Sequence, residues 1–125
     1  MDRAIAGIKK MATPGSLVFV VSDFRQLSSS SCDALLQISR HCDLHLCFIY
    51  DPFEAALPKN GYYPVISAER ELQLNTHDKV CLMRYHQQYL ERRNKVANLS
   101  QYRHISFMEC STDEDCFFVL RKCFN

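Results

Sequence analysis

The sequence predicts an α/β fold of three layers, in which helices cover both faces of a mostly parallel three-stranded sheet. Three short apolar segments predict the core strands, at about residues 17–23, 43–50 and 104–110. Their lack of polar alternation is typical of strands in a parallel sheet, which is covered on both faces. Segments with helical periodicity alternate with these strands, as right-handed crossovers between parallel strands require.

The first half of the chain supplies two helices and two strands. Residues 2–12 place Ile5, Ile8 and Met11 at helical spacing, and "TPGS" then ends the helix. The strand "LVFVVSD" follows, and the serine run "SSSS" offers caps for a helix containing "DALLQISRH". The second strand, "DLHLCFIYD", repeats the pattern of the first, an apolar run that ends at an aspartate.

The second half begins with a predicted insertion. Pro58 and Asn60–Gly61 are turn signals, and alternation around Leu72 and Leu74 predicts a small β-hairpin at about residues 62–75. Thr76 is a candidate cap for the longest helix, at about residues 78–100, whose apolar positions include Leu82 and Met83. The strand "HISFMEC" follows, and a closing helix completes the order, with Ser111 and Glu114 at the spacing of a capping box.

Composition limits the classes of partner. The chain has 125 residues, enough for a single domain, with 47% hydrophobic and 23% charged residues and a net charge of +1. This balance favours neither nucleic acid nor a membrane surface as a partner. No apolar run approaches the ~20 residues of a membrane span, and the start lacks a secretory core. We therefore expect a cytoplasmic protein whose seven cysteines are reduced thiols.

Acidic residues follow each core strand. Asp23, Asp51 and Asp113 come at or just beyond the strand ends, where ligands of open α/β sheets bind. With Ser22 and Thr112 they would offer oxygen ligands to a cation such as Mg²⁺. The alternative is that these acids cap the helices that follow them. Both interpretations remain open at the level of sequence.

Two other clusters have ordinary explanations. "HCDLHLC", residues 41–47, matches no zinc spacing and fits a helix end followed by a buried strand. Residues 84–95, "RYHQQYLERRNK", mix basic and aromatic side chains, and a solvated helix face explains them better than a phosphate backbone contact. No phosphate-binding glycine loop or nucleophile elbow occurs in the sequence.

One family resemblance covers nearly the whole chain. "GSLVFVVSDF", "LLQISRHCDLHLCFIYDPFEAALPKNGYYPV", "LNTHD" and "STDED" resemble, in this order, the C-terminal half of a bacterial "domain of unknown function 58" protein. Such domains are related to von Willebrand factor type A folds. The resemblance implies a doubly wound sheet with a metal-ion-dependent adhesion site at its carboxyl edge, where Asp23 would occupy the last ligand position.

The chain departs from that family in one respect. The D-x-S-x-S loop, which supplies most ligands in the family, occurs nowhere in residues 1–125. We therefore expect an incomplete adhesion site with weak or absent Mg²⁺ binding. The resemblance also implies that the strand at 17–22 lies at a sheet edge here, because its neighbour in the family belongs to the absent half. A long apolar edge invites pairing, so we expect a homodimer through strand 17–22, or a partner chain that supplies the other half.

Three functions follow from these observations. The resemblance implies a protein-interaction module, whose expected partner is a MoxR-type AAA+ ATPase. The second is a nonfunctional remnant or split half-domain that is stabilised by dimerisation. The third is a metal-assisted hydrolase built from Asp23, Asp51 and Asp113, for which the sequence gives neither a nucleophile with its base nor a full ligand set. We expect a module rather than an enzyme.

Overall fold

A computed structural model of the chain describes residues 1–56, 62–67, 70–75 and 79–123. Its elements are, in chain order, α1 (Asp2–Met11), β1 (Leu17–Ser22), α2 (Ser29–Ile38), β2 (Asp43–Tyr50), α3 (Pro52–Ala55), β3 (Tyr62–Ser67), β4 (Arg70–Asn75), α4 (Lys79–Leu99), β5 (Ile105–Ser111) and α5 (Cys116–Cys123).

The core sheet has the strand order β1–β2–β5, and both pairs of strands are parallel. In the register, Val20 lies beside Leu46 and Leu46 beside Phe107. The predicted α/β class and the three core strands are confirmed, and the sheet is wholly parallel rather than mostly so. The hairpin predicted at 62–75 is also confirmed, since β3 and β4 pair antiparallel.

The turn residues Pro58 and Asn60–Gly61 and the candidate cap Thr76 lie outside the described residues. The helix predicted at 78–100 corresponds to α4, at Lys79–Leu99.

The main hydrophobic core lies on one face of the sheet. Leu44, Leu46 and Phe48 of β2 point into it and are 0% exposed. Side chains of three helices cover them: Ile5 of α1, Leu35 and Ile38 of α2, and Tyr89, Val96 and Leu99 of α4. Both crossovers therefore leave their helices, α2 and α4, on the same face, as a constant right-handed connection requires.

The opposite face is covered less completely. Cys47, Met108 and Cys110 form a second small cluster there, against which Val119 of α5 packs. Helices thus lie on both faces, as predicted, but of the helices that the structure describes only α5 packs on this one, and it contacts β5. The sheet face at β1, which the apolar run predicts to be covered, is open, because α5 does not extend that far: Leu17 is 53% exposed and Val21 62%.

The four-residue helix α3 is an element that the sequence did not predict. Pro52 occupies its first turn, and Asp51 caps it by accepting a hydrogen bond from the Phe53 N–H at 2.8 Å. A single turn is too short to show apolar periodicity, which explains why the sequence pattern gives no sign of it. Its importance lies in Glu54, the only described residue of α3 that is buried.

Two apolar positions predicted to face the core are instead exposed. Met11 of α1 is 76% exposed and Met83 of α4 is 65% exposed. Both lie near a helix end, where the apolar side of the helix no longer faces the sheet. Of the helices in the described part of the chain, none is long and apolar enough to cross a membrane.

Candidate functional site

The loop after β1 holds the first two predicted site residues. Ser22 accepts a hydrogen bond from the Phe24 N–H through its Oγ at 3.0 Å. Asp23 accepts from the backbone N–H of Arg25 at 3.2 Å and from Arg25 Nε at 2.9 Å. Both side chains therefore serve a tight turn, and the charge of Asp23 is already paired with a guanidinium.

The other predicted acids also make their hydrogen bonds within their own loops. Asp51 is the cap of α3, as described above. Asp113 accepts from the Oγ of Ser111, at the end of β5. These contacts support the helix-cap and turn interpretation of the acids at the sheet edge. In the part of the chain that the structure describes, no group of three or more His, Cys, Asp and Glu side chains is placed to hold a metal ion.

The start of α5 differs from the predicted capping box. Ser111 and Glu114 do interact, since the Ser111 N–H donates to Glu114 Oε2 at 3.1 Å. However, Ser111 belongs to β5, and the helix begins only at Cys116. Asp115 is the residue that caps α5, because its Oδ1 accepts from the Phe117 N–H at 2.9 Å.

A buried carboxylate that the sequence did not single out organises this edge of the sheet. Glu54 is 4% exposed and accepts from two guanidinium groups, Arg25 Nη2 at its Oε1 and Arg92 Nη2 at its Oε2, the latter at 2.6 Å. Tyr85 donates its hydroxyl to Glu54 Oε1 at 3.2 Å, and His86 Nδ1 lies 3.1 Å from the Glu54 carbonyl oxygen. We call these five residues the Glu54 cluster.

The Glu54 cluster joins three segments of the chain. Arg25 comes from the loop after β1, Glu54 from α3, and Arg92 from α4. Arg92 also lies over the ring of Phe48, with its Cζ 5.8 Å from the ring centroid. Because buried charges are tolerated only when they are paired, each member fixes the positions of the others.

The cluster changes the titration of its members. Burial is the largest single influence on Arg25 and opposes its charge, but Glu54, Tyr85 and Asp23 together outweigh it and raise the pKa of Arg25 above its ordinary value. Burial raises the pKa of the Tyr85 hydroxyl, and the negative charge of Glu54 raises it further. Both shifts favour the protonation states that donate hydrogen bonds to Glu54.

An apolar surface at the β1 edge is the second feature of functional interest. β1 is the terminal strand of the described sheet, and Leu17–Ser22 contains neither a charged residue nor a proline. Leu17, Phe19 and Val21 lie on the open face by alternation with Val18 and Val20, which face the main core. We call Leu17, Phe19 and Val21 the open-edge residues.

Helix α5, which contacts β5, also carries exposed apolar side chains on this face of the sheet. Phe117 is 64% exposed, Phe118 59% and Leu120 40%. Phe117 and Phe118 contact each other edge to face, with ring centroids 6.0 Å apart. Exposed apolar side chains that form a contiguous patch are characteristic of interaction surfaces.

Comparisons with known proteins give no relative for this chain. No family model matches it, and no curated protein or solved structure matches it either. The resemblance drawn from the sequence therefore stays a prediction, and the functional argument rests on the geometry described above.

Proposed function

We propose that this chain is a protein-interaction module and that its partner is a second copy of itself, bound through β1. The observation that carries the proposal is the exposure of Leu17 and Val21 on a terminal strand that has no charge or proline to protect it. Proteins usually blunt such edges, since the backbone of an edge strand is a template for another strand.

The backbone directions suit a two-fold pairing. The Ser16 carbonyl oxygen accepts from the Asp43 N–H at 3.0 Å, so it points toward β2. In a strand, alternate residues direct their N–H and C=O groups to the same side. Residues 17, 19 and 21 therefore direct theirs toward the outer edge of β1, the positions that an antiparallel partner would use.

One register brings like surfaces together. With Phe19 on the two-fold axis, Leu17 of one copy lies opposite Val21 of the other, and Val18 lies opposite Val20. The open-edge residues then form a single apolar strip on one face of a six-stranded sheet. Each apolar cross-strand pair contributes roughly 0.2–1 kcal/mol, and the two-fold symmetry doubles each contact.

The family resemblance supports an interaction role as well. It implies that the three-stranded sheet corresponds to the C-terminal half of a von Willebrand factor A-like sandwich. It also implies an incomplete metal-ion-dependent adhesion site at Asp23 and a MoxR-type AAA+ ATPase as a further partner. We include these as part of the proposal, and binding of the ATPase would use surfaces other than the paired β1 edge.

Sedimentation equilibrium at 10–100 μM, a range chosen as ordinary for such dimers, tests the proposal. We expect a dimer for the unmodified chain and a monomer for Val21→Lys, because a lysine at an edge blocks strand pairing. Met11→Lys is the matched control, since Met11 is exposed on α1, and it should remain dimeric. An unmodified chain that stays monomeric throughout this range contradicts the proposal, as does a dimer that Val21→Lys leaves intact.

A further inference from the structure

A cavity of about 400 Å³ lies beside the Glu54 cluster, between the loop after β1 and helix α4. Its volume is in the range of small-molecule sites. It opens near the carboxyl end of β1, and ligands of parallel α/β sheets bind at that edge. None of the four predicted site residues, Ser22, Asp23, Asp51 and Asp113, lines it.

Three cationic side chains line the cavity, Arg25, Arg92 and Lys95, against a single carboxylate, that of Glu91. Glu54 holds the two guanidinium groups from behind, since it is 4% exposed and is not part of the lining. The arginines are therefore positioned side by side before any ligand arrives. Such preorganisation lowers the entropy that binding costs.

Lys95 is fixed by a neutral partner. Its Nζ donates to the Leu27 carbonyl oxygen at 2.6 Å. Among the described residues, no carboxylate forms a salt bridge with it. Among the residues that the structure describes, no ion pair therefore neutralises the positive charge of Lys95 at the cavity.

Arg92 has hydrogen-bonding capacity that the described residues do not use. Its Nη2 donates to Glu54, but its Nε is buried and has no acceptor. Buried donors are nearly always satisfied, so the unsatisfied Nε is an unusual feature of a residue whose side chain also lines the cavity.

The loop that forms one wall is held in a strained conformation. Phe24 has a φ of 53°, in the left-handed region that a bulky residue rarely adopts. Its ring is 1% exposed and stacks in the core against Phe48, with centroids 6.2 Å apart. This turn brings Arg25 to α4, and strain of this kind concentrates at functional sites.

We propose that this cavity binds a small molecule that carries one carboxylate or phosphate group. Arg25 and Arg92 bind the oxyanion through the N–H groups that Glu54 and Asp23 leave unused, and Lys95 adds a third charge. Guanidinium groups suit planar and tetrahedral oxyanions because they donate in a fixed fork. Phe24 and Leu27 also line the cavity, but both are buried in the core, so little apolar surface is open to the rest of the molecule. Glu91 disfavours a ligand with several negative charges.

Titration of the ¹⁵N-labelled chain with sodium acetate, inorganic phosphate and AMP tests this inference, with sodium chloride at equal ionic strength as the reference. We expect saturable amide shifts confined to residues 24–27 and 88–95. Saturation by phosphate and AMP identifies a phosphate ligand, and saturation by acetate alone identifies a carboxylate. Shifts that chloride reproduces, or no saturable shift with any of the three, overturn the proposal.

Three variants separate binding in the cavity from general screening. Lys95→Met removes a charge-assisted hydrogen bond and should weaken binding about 10-fold or more. Lys10→Met, an exposed lysine of α1, should leave the affinity unchanged. Glu91→Gln removes the like charge and should tighten phosphate binding by about three-fold. Equal affinities of Lys95→Met, Glu91→Gln and the unmodified chain overturn the proposal.

Discussion

Arg92 donates from Nη2 to Glu54 Oε2 at 2.6 Å, and this contact ties α4 to the single helical turn that follows β2. The arginine side chain is 14% exposed and the glutamate 4%. Arg25 approaches the other carboxylate oxygen from the loop after β1. One buried carboxylate therefore determines how three segments meet at the carboxyl edge of the sheet.

Replacing Glu54 should destabilise the fold strongly. Glu54→Gln removes the negative charge but keeps the volume, and leaves the nearly buried Arg92 without its ionic partner. Breaking a buried pair in this way costs roughly 3–5 kcal/mol. We expect about 3 kcal/mol, the lower end, because Arg25 is 53% exposed and water can solvate it. Urea denaturation measures the change.

The control for this variant is Glu91→Gln on the neighbouring face of α4. Glu91 is exposed and accepts only from Gln87 Nε2, at 3.0 Å, among the contacts that the structure describes. Its replacement should change the free energy of unfolding by less than about 0.5 kcal/mol. Equal effects of the two variants would show that the Glu54 cluster is no more than a surface ion pair.

The Glu54 cluster also shows why part of the site could not be predicted from the sequence. The core strands were predictable because each is a continuous apolar run, and their parallel order followed from the intervening helices. Glu54 lies 29 residues from Arg25 and 38 from Arg92. No local pattern links residues so far apart, and a glutamate in "PFEAA" looks like an ordinary surface residue.

The acids at the strand ends gave a different lesson. Asp23 and Asp51 stand where metal ligands and helix caps both occur, so residue type and position could not separate the two roles. The structure shows that their hydrogen bonds go to the N–H groups two residues later. The sequence likewise did not indicate that this face of β1 is open, because packing, and not the strand itself, decides how much of the sheet α5 covers.

Truncating the Leu46 side chain, in the central strand, should lower the free energy of unfolding strongly. Leu46 is 0% exposed at the middle of β2, and Leu46→Ala leaves a cavity that its packed neighbours cannot fill. We expect a loss of about 3 kcal/mol in the free energy of unfolding. Met83→Ala, at an exposed position of α4, should cost less than about 0.5 kcal/mol. A small loss at Leu46 would mean that β2 is not the central strand.

The ion pair between α4 and β5 should depend on its geometry. Arg93 donates from Nε and Nη2 to the two carboxylate oxygens of Glu109, at 2.6 and 2.7 Å. Hydrogen bonding to Glu109 raises the pKa of Arg93 above its ordinary value. Arg93→Lys keeps the charge, but an ammonium group cannot donate the two parallel hydrogen bonds to the Glu109 carboxylate. We expect a loss of about 0.5–1 kcal/mol, since both side chains are partly exposed.

A double-mutant cycle with Glu109→Gln separates the interaction energy of the pair from the contribution of each side chain alone. If the fork stabilises the fold, the free energies of unfolding of Arg93→Lys and Glu109→Gln will not add in the double variant. Simple additivity would show that the two side chains contribute independently.

Stability should fall in alkaline solution. Burial raises the pKa of the Cys32 and Cys110 thiols and of the Tyr50, Tyr85 and Tyr89 hydroxyls. The folded state therefore binds protons that the unfolded chain releases, so this stabilisation is complete below about pH 9 and is lost as the pH rises through the folded pKa values. Thermal midpoints measured between about pH 8 and pH 11, a range that spans these ordinary pKa values, should decrease steadily. A constant or rising midpoint would contradict the shifts.

The cysteines should differ in reactivity according to their burial. Cys81 and Cys116 are exposed, whereas Cys42, Cys47 and Cys110 are buried. Since iodoacetamide attacks the exposed thiolate, brief treatment of the native chain followed by peptide mapping should label Cys81 and Cys116 first. The same treatment in concentrated urea is the control, and it should label all three buried thiols as fast as the exposed ones. Early labelling of Cys47 in the native chain would mean that the cluster beneath α5 opens readily, because Cys47 packs there with Met108 and Cys110.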